Sequence, residues 1–214
     1  MLVVAKLSAG HDALMDPAAS VWRPVESTRL ALEGTPTGTQ PTPYTRAAWK
    51  DRKVGAVSRV DVQTAHDGTS IFIRLEWADA TENRTVEDNN IFPDGAGVLF
   101  PIKKTAPINK MGSETEPVNA WQWQANSERG RSVIAHGVGT TEPTPETVEV
   151  ASVRSHDHWQ VILSRRLAGN GKSVELKPGA TSRIGVAVWE GSNGERAGFK
   201  AYTPDWTDIR LADA

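Results

Sequence analysis

Residues Val57–Asp79 read VSRVDVQTAHDGTSIFIRLEWAD, and this stretch decides the fold. Apolar side chains fall at every second position, at Val60 and Val62 and again at Ile71, Ile73, Leu75 and Trp77. Polar Arg59, Asp61, Gln63, Arg74 and Glu76 stand between them, which is the period of a strand and not of a helix. His66-Asp67-Gly68 lies in the middle as a turn signal, so the stretch predicts a β-hairpin with one buried face.

The same alternation predicts further strands at Thr28–Leu32, Gly95–Phe100, Ala120–Ala125, Val148–Val153, Trp159–Ser164, Arg183–Trp189 and Thr207–Leu211. Gly185-Val186-Ala187-Val188-Trp189 is apolar on both faces, as suits a central strand covered from both sides. Helical patterns of ten or more residues are scarce. The expected class is therefore all-β, a two-sheet antiparallel β-sandwich with long functional loops and little helix. With 214 residues, 38% of them hydrophobic, the chain can build one substantial core, and a single domain over 1–214 is expected. Irregular segments at about 33–52, 77–93, 101–117 and 191–205 are long enough to carry function. No internal repeat is present, and Pro143-Thr144-Pro145 reads as a surface turn.

Composition narrows the chemistry. Lysine and arginine number 24 against 26 acidic residues, a net charge of −2 without a basic concentration, so nucleic acid is not an expected partner. The absence of cysteine excludes disulfides, iron–sulfur ligation, thiolate zinc sites and cysteine nucleophiles in this chain. No apolar run reaches the length of a membrane span. The opening residues, MLVVAKLS, lack a basic region and carry too short an apolar run for a secretion signal.

Catalytic motifs are missing: there is no HExxH, no GxSxG and no GxxxxGK[ST]. His156-Asp157-His158 could place two imidazoles on one face of a strand, but Asp157 reads better as a turn residue leading into Trp159. Glu114, Glu116, Asp205 and Asp208 read as solvated loop carboxylates.

Of eight tryptophans most should anchor the core, yet Trp121 and Trp123 share one face of a strand just after a loop. An aromatic wall beside a loop would suit a flat ligand, a sugar ring or a porphyrin. That loop holds Met111, one of only three methionines, set between Pro107 and Gly112 where a packing role is hard to supply. Lys200, in the segment Gly194–Tyr202, is by itself an ordinary solvated lysine.

Four segments together carry a resemblance: Val57–Asp79, Phe92–Phe100 (FPDGAGVLF), Lys110–Ala125 (KMGSETEPVNAWQWQA) and Val186–Tyr202 (VAVWEGSNGERAGFKAY). They resemble the haem b, or gamma, subunits of the ethylbenzene dehydrogenase family. That family also includes the gamma subunits of dimethylsulfide dehydrogenase, selenate reductase and chlorate reductase. The resemblance implies a β-sandwich that binds one haem b through a methionine sulfur and a lysine amine. Matched residue by residue, these iron ligands are Met111 and Lys200.

It also implies an electron-transfer subunit with no catalytic residues of its own. The expected partners are an alpha subunit carrying the molybdenum cofactor and a beta subunit carrying iron–sulfur clusters, with a soluble acceptor such as a cytochrome c. By the same resemblance the complex is periplasmic and exported with its catalytic subunit. A hydrocarbon substrate, alkylaromatic or sterol side chain, is expected ahead of an oxyanion. A carbohydrate-binding β-sandwich module stands as the alternative from a different class.

Overall fold

The computed structural model describes residues 1–87 and 89–213. In chain order the strands are β1 (Leu2–Lys6), β2 (Thr28–Ala31), β3 (Glu33–Gly34), β4 (Arg59–His66), β5 (Ser70–Ala78), β6 (Gly95–Pro101) and β7 (Val118–Gln124). There follow β8 (Arg131–Ala135), β9 (Thr141–Pro143), β10 (Glu149–Ser155), β11 (His158–Arg166), β12 (Thr181–Trp189), β13 (Ala201–Tyr202) and β14 (Thr207–Leu211). Two short helices, α1 (His11–Met15) and α2 (Pro43–Ala48), lie in the connections.

The strands pair in one continuous order, β10-β11-β5-β4-β1-β14-β12-β6-β7-β8-β9. Two strands change neighbours partway along. β1 pairs with β14 through Leu2–Val4 and with β4 through Ala5–Lys6, while β12 pairs with β14 through Thr181–Ile184 and with β6 through Gly185–Trp189. Strands that switch partners make the corners at which a sheet turns over onto itself.

The result is a sandwich, with Trp77 of β5 edge-on to Trp123 of β7 at 6.3 Å and Trp123 edge-on to Trp159 of β11 at 5.1 Å. Ile71, Ile73 and Leu75 from one layer share this core with Val98, Trp121 and Val186 from the other. Each such fully buried side chain contributes roughly 1.5–3 kcal/mol through removal from water.

The predicted strands form, and their boundaries move by a few residues. His156 and Asp157 make the two-residue turn between β10 and β11, with His156 in the left-handed region at φ 52°. Two expectations need correction. The sandwich is mixed and not wholly antiparallel, because β1 runs parallel to both β4 and β14. No hairpin joins β1 to β4 or to β14, so alternation alone does not reveal its direction. The Val57–Asp79 hairpin is buried on both faces and not on one. Phe72 and Ala65, which point away from the main core, are covered by Leu14, Trp22 and Val25 from the segment around α1. Gln63 clamps that cover by donating its side-chain N–H groups to the carbonyls of Trp22 (2.7 Å) and Val25 (2.8 Å).

Candidate functional site

The site lies on the outer face of the layer formed by β12, β6 and β7. Cross-strand partners share a face, so the register assigns each residue. Val186 opposite Val98 and Val98 opposite Trp121 point into the sandwich. Gly185 opposite Leu99, Ala187 opposite Gly97 and Trp189 opposite Gly95 point out.

Four of these six outward residues, Gly185, Ala187, Gly97 and Gly95, are small, which leaves a shelf between Leu99 and Trp189. A Cβ at Gly97 would stand 2.9 Å from the Trp121 carbonyl and 3.4 Å from the Trp189 ring, so the indole lies across the strand where no side chain can rise. Over the other end of the shelf, Ile108 packs so closely that a Cβ at Gly185 would meet its Cδ1 at 2.7 Å.

The Met111 loop crosses this shelf. A single 3-10 turn, Ile108–Lys110, ends at Met111, whose φ of 55° and ψ of 47° are left-handed. A non-glycine residue in that region costs about 1–2 kcal/mol, and such strain persists where the surroundings enforce it. Here Gly112 enforces it: its φ is 82°, its N–H donates to the Pro107 carbonyl at 2.9 Å, and a Cβ would stand 2.9 Å from the carbonyls of Ala135 and Glu116. The turn directs the half-buried Met111 side chain onto Leu99, Ala106 and Val118.

Lys200 closes the opposite loop, and the segment before it explains itself residue by residue. The fully buried Glu195 carboxylate accepts from the backbone N–H groups of Gly55 (2.7 Å), Ala56 (3.0 Å) and Glu190 (3.1 Å). Ala197 turns the chain at φ 50°. Gly198 lies against Gln40, whose amide donates to its carbonyl at 3.1 Å, and Phe199 stacks on Trp49 at 4.3 Å. The Lys200 carbonyl accepts from both the N–H and the hydroxyl of Thr35, each at 2.9 Å.

With its backbone so fixed, Lys200 is 7% exposed, and its Nζ lies 3.7 Å from the Met111 sulfur and 5.4 Å from the Trp189 ring centre. No ion pair among the described residues includes it. Burial without an anionic partner pushes the amine down from its ordinary 10.5 to about 8.

A thioether and a readily neutralised amine are a donor set for a soft or borderline transition metal. A metal–sulfur and a metal–nitrogen bond together span at most roughly 4–4.5 Å. At 3.7 Å the two donor atoms are close enough that both could reach one such ion.

The aromatic wall expected of Trp121 and Trp123 is not there. Both are buried, at 0% and 2% exposure, on the inward side of β7, across the sheet from Met111 and Lys200. The tryptophan on the site's own face is Trp189, which the sequence shows as sharing the parity of Gly185 and Ala187. Gln40 is also part of the site, and no local signal marks it. Of the basic residues near the two loops, Lys110 is exposed beside Met111 and Arg196 covers the Phe92 ring at 4.1 Å. Arg129 lies in a separate groove with His11 and Glu149. Glu114, Asp205 and Asp208 are exposed, as expected of solvated carboxylates, and Glu116 is half-buried.

Comparison with known proteins identifies relatives of the chain and of its fold. A solved carbohydrate-binding module of family 9 from Caldicellulosiruptor kristjanssonii, in complex with glucose, shares the fold at a TM-score of 0.56 and 10% identity, covering 100% of this chain and 96% of that one. The chlorate reductase gamma subunit of Ideonella dechloratans is 36% identical over 208 residues, 95% of this chain and 82% of that relative. A Haloferax mediterranei protein assigned as a respiratory nitrate reductase heme subunit is 28% identical over 199 residues, 92% of this chain and 68% of that relative. A sequence profile of the ethylbenzene dehydrogenase family matches residues 19–154, a span that holds Met111. The chain belongs to the ethylbenzene dehydrogenase family.

Proposed function

We propose that this chain is the haem b electron-transfer subunit, the gamma subunit, of a heterotrimeric molybdenum enzyme, with Met111 and Lys200 as the two iron ligands. The observation that carries the reading is a buried amine that stands 3.7 Å from a thioether and belongs to no ion pair among the described residues. The relatives' names, a gamma subunit and a heme subunit, support it. A haem held there by Met111 and Lys200 would supply one-electron transfer.

The chain's residues do the rest. Met111 offers a neutral, soft sulfur, which favours the ferrous state and raises the potential. Lys200 must give up its proton to ligate, and its burial makes that loss easier. Gly97, Gly185 and Ala187 keep side chains off the shelf, and Trp189 borders it.

The proposed partners are a molybdenum-containing alpha subunit and an iron–sulfur beta subunit, with a soluble acceptor such as a cytochrome c. Among the described residues no helix is long and apolar enough to cross a membrane. The proposed location is periplasmic, to be checked by cell fractionation. The family supports a hydrocarbon substrate for the complex, and the relation to a chlorate reductase gamma subunit supports an oxyanion as the second reading. Turnover of the purified complex with each substrate class separates them. The carbohydrate-binding reading keeps only the shared fold, since the inward Trp121 and Trp123 take away its platform.

Absorption spectroscopy of the purified complex tests the ligands. A six-coordinate low-spin haem is expected, lost or converted to high spin in Met111→Ala and in Lys200→Ala. Unchanged spectra in both variants sink the assignment.

A further inference from the structure

Asp79, Asp94 and Glu190 meet where three strands end: just after β5, just before β6 and just after β12. They are 3%, 0% and 8% exposed, and one carboxylate oxygen of each lies within 4.8 Å of the others. None of the three takes part in an ion pair among the described residues.

Their neighbours supply too few donors. Asp94 is satisfied: Oδ1 accepts from the Gly191 N–H at 2.9 Å, and Oδ2 from the Asn83 N–H at 2.8 Å and the Trp159 indole at 3.1 Å. Glu190 Oε1 accepts from the N–H and hydroxyl of Ser192, and Asp79 Oδ1 from the N–H of Thr81. The Thr81 hydroxyl, however, stands 3.2 Å from Asp79 Oδ1, 3.0 Å from Asn83 Oδ1 and 3.2 Å from Glu190 Oε1. One hydroxyl proton cannot serve three acceptors. Asp79 Oδ2 is buried and has no hydrogen-bond partner among the described residues. An orphaned carboxylate oxygen inside a cluster of acceptors is the arrangement that a cation completes.

We propose that Asp79, Asp94 and Glu190 form a buried site for a hard divalent cation of the calcium class, with the side-chain oxygens of Thr81 and Asn83 beside it. The donors are all oxygen, which selects hard ions. Calcium tolerates irregular sets of carboxylate, carbonyl and hydroxyl oxygens, whereas magnesium requires near-ideal octahedral geometry and retains waters that a buried site excludes. The charge balance agrees: burial and the neighbouring carboxylates push Asp79 up to about 7, and burial pushes Asp94 up to about 6.

The site sits at the root of the loop that ends in Lys200. Glu190 donates its N–H to the anchoring Glu195 carboxylate, so a cation there would tie both layers of the sandwich to that loop. The proposal does not depend on haem binding, and its readouts are independent of it.

The test uses the purified complex, its metal content measured by elemental analysis and its thermal unfolding followed after chelator treatment with calcium, magnesium or manganese restored. Stoichiometric calcium is expected. Calcium at about 100 times its Kd should raise the unfolding midpoint of the gamma subunit by roughly 5–10 °C. Asp79→Asn keeps the Oδ1 acceptor for Thr81 and removes the charge. It should unfold no lower than the chelated parent and should lose the calcium shift. Absence of bound metal together with no shift from any of the three ions overturns the site, as does a full calcium shift retained in Asp79→Asn.

Discussion

The short stretch from Trp189 to Lys200 has buried charge at both ends, and the two ends are opposites. At one end Glu190 joins Asp79 and Asp94, three acids that form no ion pair among the described residues; at the other a lysine forms none either. Burial moves both toward neutrality, which means opposite directions in pH. The carboxyls are pushed up, to about 7 for Asp79 and about 6 for Asp94, so their contribution to stability is full below the ordinary 3.8 and is lost as pH rises through 6–7. The amine is pushed down, so its contribution is present above the ordinary 10.5 and is lost as pH falls through about 8. Between pH 7 and 8 the ligand-free protein is therefore destabilised at both ends. In the proposed reading each end would be relieved by a different ion, one held at nitrogen and sulfur and a hard one at oxygen.

Lys200→Leu breaks the comparison most severely. Lowering the amine from 10.5 to about 8 corresponds to roughly 3 kcal/mol at 1.36 kcal/mol per unit. The ligand-free variant should gain about 2–3 kcal/mol at pH 7, a gain that shrinks above pH 8 and vanishes near the ordinary lysine value. It should also lose haem. Denaturant unfolding at pH 7 and pH 10, beside a pyridine haemochrome assay, reads both effects; a variant less stable than its parent at pH 7 refutes the account of the buried amine.

Asp79→Asn is the counterpart at the acidic end and should act in the opposite pH range. Without metal at pH 8 it should gain on the order of 1–2 kcal/mol, since one of three crowded charges is gone. Below about pH 5 the gain should disappear, because Asp79 and Asp94 of the parent are then protonated. Unfolding curves in chelator across pH 5–8 decide this, and a pH-independent effect counts against charge crowding.

Haem loading sharpens the contrast without any mutation. On the proposed ligation, the Lys200 amine must release a proton below pH 8 as iron binds, so apparent affinity should fall about tenfold per unit as pH decreases from 8. Titration of the haem-free protein between pH 6 and 9 should show the slope flatten above 8. A flat profile throughout would show that Lys200 is not the ligand.

How much of this was legible in the sequence follows from what each feature depends on. The hairpin of β4 and β5 is local, and period-two alternation revealed it. Met111 and Lys200 were legible only through motif resemblance, because neither residue type in a loop is unusual enough alone. The direction of Trp121 and Trp123 was not legible: both faces of their layer are covered, inside by the core and outside by the Met111 loop, so alternation gives the partition but not its sense. Parallel β1 and the acidic cluster join residues far apart in the chain. Asp79 and Asp94 bound one loop and Glu190 opens another, and no spacing rule connects them.

The smallest expected effect belongs to Trp189, the residue between the two ends. Its backbone leads directly into Glu190, its ring faces the Lys200 amine at 5.4 Å, and its indole N–H donates to the Ala197 carbonyl at 3.0 Å, holding the left-handed residue that turns the chain toward Lys200. Trp189→Phe keeps an aromatic surface over Gly95 and Gly97 but removes that tether. A hydrogen bond of this kind contributes about 0.5–1.5 kcal/mol, so the variant should lose about 1 kcal/mol of stability. If Trp189 serves only as a wall, haem content and the pH profile of loading stay at the parent's values. If the indole tether positions Lys200, the profile shifts to higher pH while calcium content remains unchanged, because a less confined amine is better hydrated and holds its proton more tightly. The tether predicts the second result, and an unshifted profile would reduce Trp189 to a border of the shelf.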